Sequence, residues 1–219
     1  MMDARLQYEM ARAIVKKAGL DPEVVQLTQS TIRLEQALST TNTMYTFGVL
    51  VNDNGPAGTK FASEIRLNQQ DSLIVSEIGV YLGEAPSVTS SQYQDHTYPS
   101  PAVFSTSTEA AGLELIYKSQ LKITVNNKVL IPSLQLGRFR LVPQSQQVAA
   151  ATNQNGIAYD QVDMSSDGLM INAPSIVLIG SSNNLVQVQL PSALPAVGTS
   201  TRLILEFRGL LAINSTIIT

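Results

Sequence analysis

The chain has 219 residues, a formal net charge of −3 and only 14% charged residues, whereas soluble domains usually carry roughly 25%. It contains no cysteine, which excludes disulfide scaffolds, thiol nucleophiles and zinc–thiolate sites. The acidic balance argues against a protein that coats nucleic acid through a uniformly basic surface. No apolar run approaches the roughly 20 residues of a membrane helix. The first residues do not follow the charged-then-apolar pattern of a secretory signal peptide, so we do not expect one.

The first residues predict an amphipathic helix over 3–18, because good helix formers dominate and apolar residues recur at helical spacing. Lysines near its end and Gly19 behind them are typical of a helix C-terminus. This pattern fits two roles equally well. In one, the helix docks on a neighbouring molecule and turns its cations toward nucleic acid, lipid or an acidic protein; in the other, it packs back on its own domain. The predicted interaction residues are Arg5, Leu6, Met10, Arg12, Ile14, Lys16 and Lys17.

From residue 30 onward the pattern is almost entirely typical of strands. Residues 30–36 alternate, 45–51 are β-branched and aromatic, and 61–67 alternate loosely. Residues 73–82 are rich in β formers, and the internal Gly79 predicts a bulge.

The best-defined local structure is a hairpin with strands over 113–125 and 128–142. Asn126 and Asn127 between them predict a two-residue primed turn, because asparagine tolerates a positive φ. Pro132 interrupts the return strand, which predicts an edge or a bulge there.

The remaining segments complete an all-β pattern with long loops and no alternation of strands with helices. Further strands are expected over 157–164, 176–179, 185–190 and 201–213, and polar loops over 85–101 and 143–156. The sequence therefore predicts a jelly-roll-like antiparallel β-sandwich. We expect an N-terminal helical arm over 1–29 and a sandwich domain over 30–219.

Residues that could carry chemistry are few. His96 is the only imidazole, and without a nucleophile elbow it is interpreted as a solvated loop residue rather than part of a Ser-His-Asp site. A metal cage built from imidazoles needs more than one histidine in most cases. Asp160, Asp163 and Asp167 lack the spacing of an EF-hand loop and indicate either a solvated polar turn or a structural Ca²⁺ at an interface. No catalytic residue, cofactor or metal ligand is therefore assigned.

Four segments carry a resemblance to a known group of proteins. They are TIRLEQALSTTNTMYTFGVLVND, EIRLNQQDSLIVSEIGVYLG, NLVQVQLPSAL and TRLILEFRGLLA, and the resemblance covers roughly residues 30–215. In the overall pattern of its residues, the chain resembles jelly-roll structural proteins of icosahedral viruses, chiefly those of bacteriophage virions. The resemblance implies a coat sandwich whose last segments are its closing strands. The arm is less basic than in many such coat proteins, which argues against direct genome binding.

The main hypothesis is a non-enzymatic virion protein, a capsid subunit or auxiliary coat protein. It would assemble with its own copies and other virion proteins through sheet edges and loops, with the helix as a tether. Neutral Ser, Thr, Asn and Gln favour this, because they are desolvated at an interface at less cost than Lys or Glu. One alternative is a receptor- or glycan-binding fibre module that uses Tyr93, His96 and Tyr98. A second is a hydrolase on a sandwich scaffold.

Overall fold

The computed structural model describes residues 4–17, 25–49, 67–84, 94–101, 103–104, 107–142, 145–146, 159–160 and 168–215. Within these residues the elements in chain order are α1 (Ala4–Lys17), β1 (Gln26–Ala37), β2 (Met44–Val49), β3 (Ser72–Glu84), β4 (Gln94–His96), α2 (Ser107–Tyr117), β5 (Gln120–Val125), β6 (Lys128–Gln135), a short 3-10 helix (Leu136–Phe139), β7 (Ser145–Gln146), β8 (Tyr159–Asp160), β9 (Leu169–Ile179), β10 (Asn184–Gln189) and β11 (Thr201–Ile213).

Most of these strands belong to two antiparallel sheets. Sheet 1 has the order β1–β11–β3–β4, and β9 pairs with the same edge of β3 as β4 does. Sheet 2 has the order β2–β10–β5–β6, and β7 and β8 form a separate two-stranded ribbon. The predicted antiparallel β architecture, sandwich-like and with few helices, is confirmed at this level.

The two sheets share one apolar core. Along β2, β5 and β10 buried residues alternate with exposed or half-buried ones, as expected for strands with one covered face. Phe47 and Ile123 of sheet 2 belong to the same buried cluster as Val80 and Leu205 of sheet 1. Removing this apolar surface from water is the main force that holds the sheets together.

The longest strands, β3 and β11, approach each other closely at a bulge. Their pairing shifts register at Gly209, opposite Ser76. A Cβ on Gly209 would overlap the carbonyl oxygen of Ile74, so only glycine allows this approach of two backbones. The predicted bulge at Gly79 is wrong, because the shift lies at Ser76 and Gly79 instead packs against the ring of Tyr81.

The turn of the predicted hairpin is confirmed. Asn126 and Asn127 have φ values of 46° and 64° and join β5 to β6. The positive φ at both positions is what a type I′ turn requires. The pairing of β5 with β6 contains two register shifts around Ile131, which agrees with the bulge predicted near Pro132.

The outer limits predicted for the hairpin strands are wrong at both ends. Residues 107–117 form α2, in which Ala110, Leu113 and Tyr117 are buried at helical spacing. The return strand ends at Gln135, where the 3-10 helix begins.

Other predicted strands have different outcomes. Residues 30–36 lie within β1, which begins four residues earlier, and 176–179 form the end of β9. Residues 61–66 and most of 157–164 lie outside the described residues. The division of the chain into 1–29 and 30–219 stays a prediction.

Candidate interaction surface

The N-terminal helix lies on the outward face of sheet 1. Ala11 and Val15, one helical turn apart, are buried in a small cluster with Ile74, Leu210 and Ala212 of the sheet. The helix spans Ala4–Lys17, within the predicted range 3–18. Ala11, Val15 and the half-buried Ile14 thus pack on the protein's own sheet, while the Leu6 and Met10 side chains of the predicted stripe lie outside the described residues. The role of the helix as a tether stays a prediction.

Four of the seven predicted interaction residues of α1 have described side chains, of which two are exposed and two are half-buried. Arg5 is 86% exposed, with its Nε 3.9 Å from Oε1 of Glu9. The guanidinium carbon of Arg12 lies 5.9 Å from the ring centroid of Tyr8. The remaining predicted residues are Ile14, which is half-buried, Lys16, which is exposed, and Leu6, Met10 and Lys17, whose side chains lie outside the described part of the chain.

His96 lies in β4 at the edge of sheet 1, opposite Leu82. Its ring meets Phe104 edge to face with the centroids 5.6 Å apart, and its Nε2 is buried with no hydrogen-bond partner among the described residues. Burial lowers the pKa of the imidazole, although Asp95 and Glu84 oppose the shift. The interpretation of His96 as a solvated loop residue is therefore wrong, because the ring is half-buried against an aromatic side chain.

The other predicted loop and acidic residues are only partly described. Tyr98 is half-buried, and Tyr93 lies outside the described residues. Asp160 pairs with Ser145 between β8 and β7, while its side chain and the residues 161–167, which include the two other aspartates, lie outside the description. Within the described part of the chain, no three His, Asp or Glu side chains stand close enough to hold a metal ion.

Beyond α1, the outward face of sheet 1 carries a network of ion pairs. Arg33 donates to both carboxylate oxygens of Asp95, with Nη2 2.7 Å from Oδ1, and its Nε lies 2.6 Å from Oε1 of Glu35. The Glu35 side chain is only 2% exposed, and Arg202 approaches its other oxygen at 4.0 Å. Burial opposes the charge of Arg33, but the bonds to the two carboxylates outweigh it and raise the pKa of the guanidinium. Arg33 is therefore paired with two carboxylates within the chain, while Oε2 of Glu35 accepts no hydrogen bond among the described residues.

The outward face of sheet 2 has a different character, and we call it the neutral face. Its residues are Met44, Thr46, Gly48, Gln120, Lys122, Thr124, Leu185, Gln187 and Gln189, all exposed or half-buried. Thr46, Gln187 and Lys122 lie side by side in one row across β2, β10 and β5. Lys122 is the only charged residue of these three fully described strands. Amides and hydroxyls therefore dominate a flat surface that the described part of the chain leaves open.

The sequence around β5 and β6 also lacks carboxylates. Residues 115–159 contain five cations and no Asp or Glu. Arg140 pairs with Glu114, with Nη2 2.7 Å from Oε1. The other four cations, which are Lys118, Lys122, Lys128 and Arg138, are exposed. This cluster was not predicted, because a count over the whole chain hides it and only a count over shorter windows reveals it.

Comparison with models of known protein families and with curated proteins finds no match to the chain. No helix in the described part of the chain is long and apolar enough to cross a membrane.

Proposed function

We propose that this chain is a virion structural protein, a jelly-roll coat subunit that self-assembles and has no enzymatic role. The strand pairing carries the proposal. With β4 and the β7–β8 ribbon set aside, the described strands pair from the outside inward: β1 with β11, β2 with β10, β3 with β9, and β5 with β6. Such nested pairing is expected when one long antiparallel hairpin folds into two four-stranded sheets, and it supports a jelly roll.

The fold alone does not choose the function, because jelly rolls occur in capsids, lectins and cupins. The neutral face favours a coat subunit. Its threonine and glutamine side chains can be buried against a neighbouring copy at less cost than lysine or glutamate. The centres of obligate interfaces are likewise poor in charge. A sister copy is therefore the partner that this surface suits best.

The ion-pair network on the opposite sheet supports the same orientation. Arg33, Asp95 and Glu35 already satisfy one another, and α1 covers the neighbouring apolar area. On this proposal the neutral face meets sister copies, while the solvent side of α1, with Arg5 and Lys16, contacts another virion protein. The location of the protein is then the virion.

The proposal is tested by placing carboxylates at the neutral face. Thr46→Glu combined with Gln189→Glu puts two negative charges at a surface that assembly would bury. We expect the unmodified protein to form oligomers or particles in light scattering and electron microscopy, and the variant to stay monomeric with an unchanged melting temperature. Gln26→Glu with Gln29→Glu, two exposed positions on β1, is the matched control and should assemble normally. A wild-type protein that stays monomeric at every concentration and ionic strength would refute the proposal.

A further inference from the structure

The four exposed cations around the β5–β6 hairpin have no acidic partner among the described residues. Lys118 precedes β5, Lys122 points outward from it, Lys128 begins β6, and Arg138 lies in the 3-10 helix that follows. On a chain with a net charge of −3, this concentration of unpaired positive charge marks a surface for an anionic partner.

A groove lined mainly by apolar residues, together with Arg138 and Asn172, opens beside these cations. It has a volume of about 300 Å³ and lies between β6, at the edge of sheet 2, and β9, at an edge of sheet 1. Its apolar lining includes Leu130, Leu134, Phe139, Met170 and Ile176, and Arg138 also contributes to it. Val129 is 44% exposed on β6 and Ile171 is 45% exposed on β9. Positive charge and accessible apolar surface therefore occur at the same edge.

We propose that this basic edge, formed by Lys118, Lys122, Lys128, Arg138 and the groove between β6 and β9, docks on an anionic phospholipid membrane. The cations would lie at the headgroup phosphates, and the groove with the exposed aliphatic side chains would face the boundary between headgroups and acyl chains. The inference goes beyond the coat role and does not require self-assembly.

Two observations favour a membrane over nucleic acid. No aromatic residue is present in β5, β6 or β9, and Phe139 of the groove lining is only 3% exposed, so this edge offers no accessible ring among the described residues on which a base could stack. Apolar residues in the groove would add nothing to the binding of a nucleic-acid phosphate backbone, but they suit the amphiphilic surface of a membrane. The carboxylate nearest in strand register is Glu77, which pairs with Ile171 and lies on the same outward face of sheet 1 as that residue. Glu114, four residues before Lys118, is held by Arg140.

The test compares binding to vesicles of pure phosphatidylcholine with binding to vesicles that also contain phosphatidylglycerol. We expect binding only to the anionic vesicles, and weaker binding at high salt, because salt screens exposed charges. The variant K118Q/K122Q/K128Q/R138Q should lose at least about tenfold in partition coefficient, because each cation near an anionic surface contributes roughly fivefold. The matched control R5Q/K16Q removes exposed cations from α1 and should change binding less than about twofold.

A second variant tests the apolar part of the surface. Val129→Ser changes an exposed side chain, so the protein should keep its melting temperature while its vesicle binding falls several-fold. Equal binding to both vesicle types, or equal losses in the α1 control, would overturn the proposal. Binding to duplex DNA that depends on the same four cations, without vesicle binding, would overturn it in favour of nucleic acid.

Lysine and proline also protect sheet edges from pairing with other chains. If this is the whole role of the cations, the quadruple variant will self-associate without any change in vesicle binding, and the proposal fails. The non-assembling variant Thr46→Glu with Gln189→Glu separates this inference from the proposed coat function. Dispersed protein that still binds anionic vesicles supports the membrane surface whatever the outcome for assembly.

Discussion

The two outward faces of the sandwich differ although they enclose the same core. On sheet 1, α1 covers Ile74 and Leu210, and Arg33 holds Glu35 and Asp95 in a network that leaves Glu35 almost completely buried. On sheet 2, the outward side chains of β2, β5 and β10 are amides, hydroxyls, a few apolar groups and Lys122, and they make few contacts within the described chain.

This difference separates residues that stabilise the fold from residues that are available for partners. A substitution in the ion-pair network of sheet 1 or beneath α1 breaks contacts inside the molecule, so it should change the free energy of unfolding. A substitution on the neutral face should change assembly and leave stability almost unchanged. The effect of one type of substitution on the free energy of unfolding can therefore be compared directly between the two faces.

The largest expected effect is at the bulge of sheet 1. Gly209→Ala brings a Cβ into the carbonyl oxygen of Ile74, and neither backbone can move without disturbing the pairing of β3 with β11. We expect a loss of about 3 kcal/mol in the free energy of unfolding, measured in urea. Thr46→Ala on the neutral face is the comparison, and it should cost less than about 0.5 kcal/mol. Similar losses at the two positions would contradict the distinction.

The ion-pair network should give the next largest effect. Arg33→Ala leaves Asp95 and the buried Glu35 without their main partner, which should cost about 2 kcal/mol. This is less than for a fully buried pair, because the Arg33 side chain keeps 18% exposure.

Arg33→Ala combined with Glu35→Gln should recover part of that loss, because the unpaired buried charge is removed together with its partner. Lys122→Ala on the neutral face is the matched removal of a cation and should change stability by less than about 0.5 kcal/mol. A negligible loss for Arg33→Ala would show that the network does not stabilise sheet 1.

The smallest expected effect is a pH dependence of the free energy of unfolding that comes from His96, at the edge of sheet 1. Burial lowers the pKa of His96 in the folded protein, so above its ordinary value of 6.5 both states are neutral and the residue contributes nothing. As the pH falls below 6.5 the unfolded chain takes up the proton first, and folding becomes less favourable. Thermal unfolding between pH 5 and 7 should show this decline, and His96→Gln should reduce it. Identical profiles of melting temperature against pH for the wild-type protein and His96→Gln would contradict the attribution of the decline to His96, since the chain has one histidine.

Several local features could be predicted from sequence because neighbouring residues decide them. The helix over residues 4–17 follows from helix formers and an apolar stripe, and the turn at Asn126 and Asn127 follows from the tolerance of asparagine for a positive φ. The helix over 107–117 was missed although Ala110, Leu113 and Tyr117 have helical spacing, because the strand residues that follow directly extended the apparent β pattern upstream.

The candidate surfaces could not be located from sequence for a different reason. The low charge content predicted that some faces are covered by partners, but Thr46, Gln187 and Lys122 become neighbours only through the pairing of three strands distant in the chain. The same holds for Arg33 and Asp95, which are 62 residues apart.

The amino-acid sequence by itself determined the antiparallel β character, the first helix, the tight turn and the scarcity of charge, since each depends on residue type and short-range periodicity. Only the tertiary structure decided that β1 lies beside β11, that α1 covers part of sheet 1, and that the described residues leave open an outward face whose single charge is Lys122. The physical reason is that alternation tells which side of a strand is apolar, whereas the choice of its partner strand depends on the packing of the whole chain.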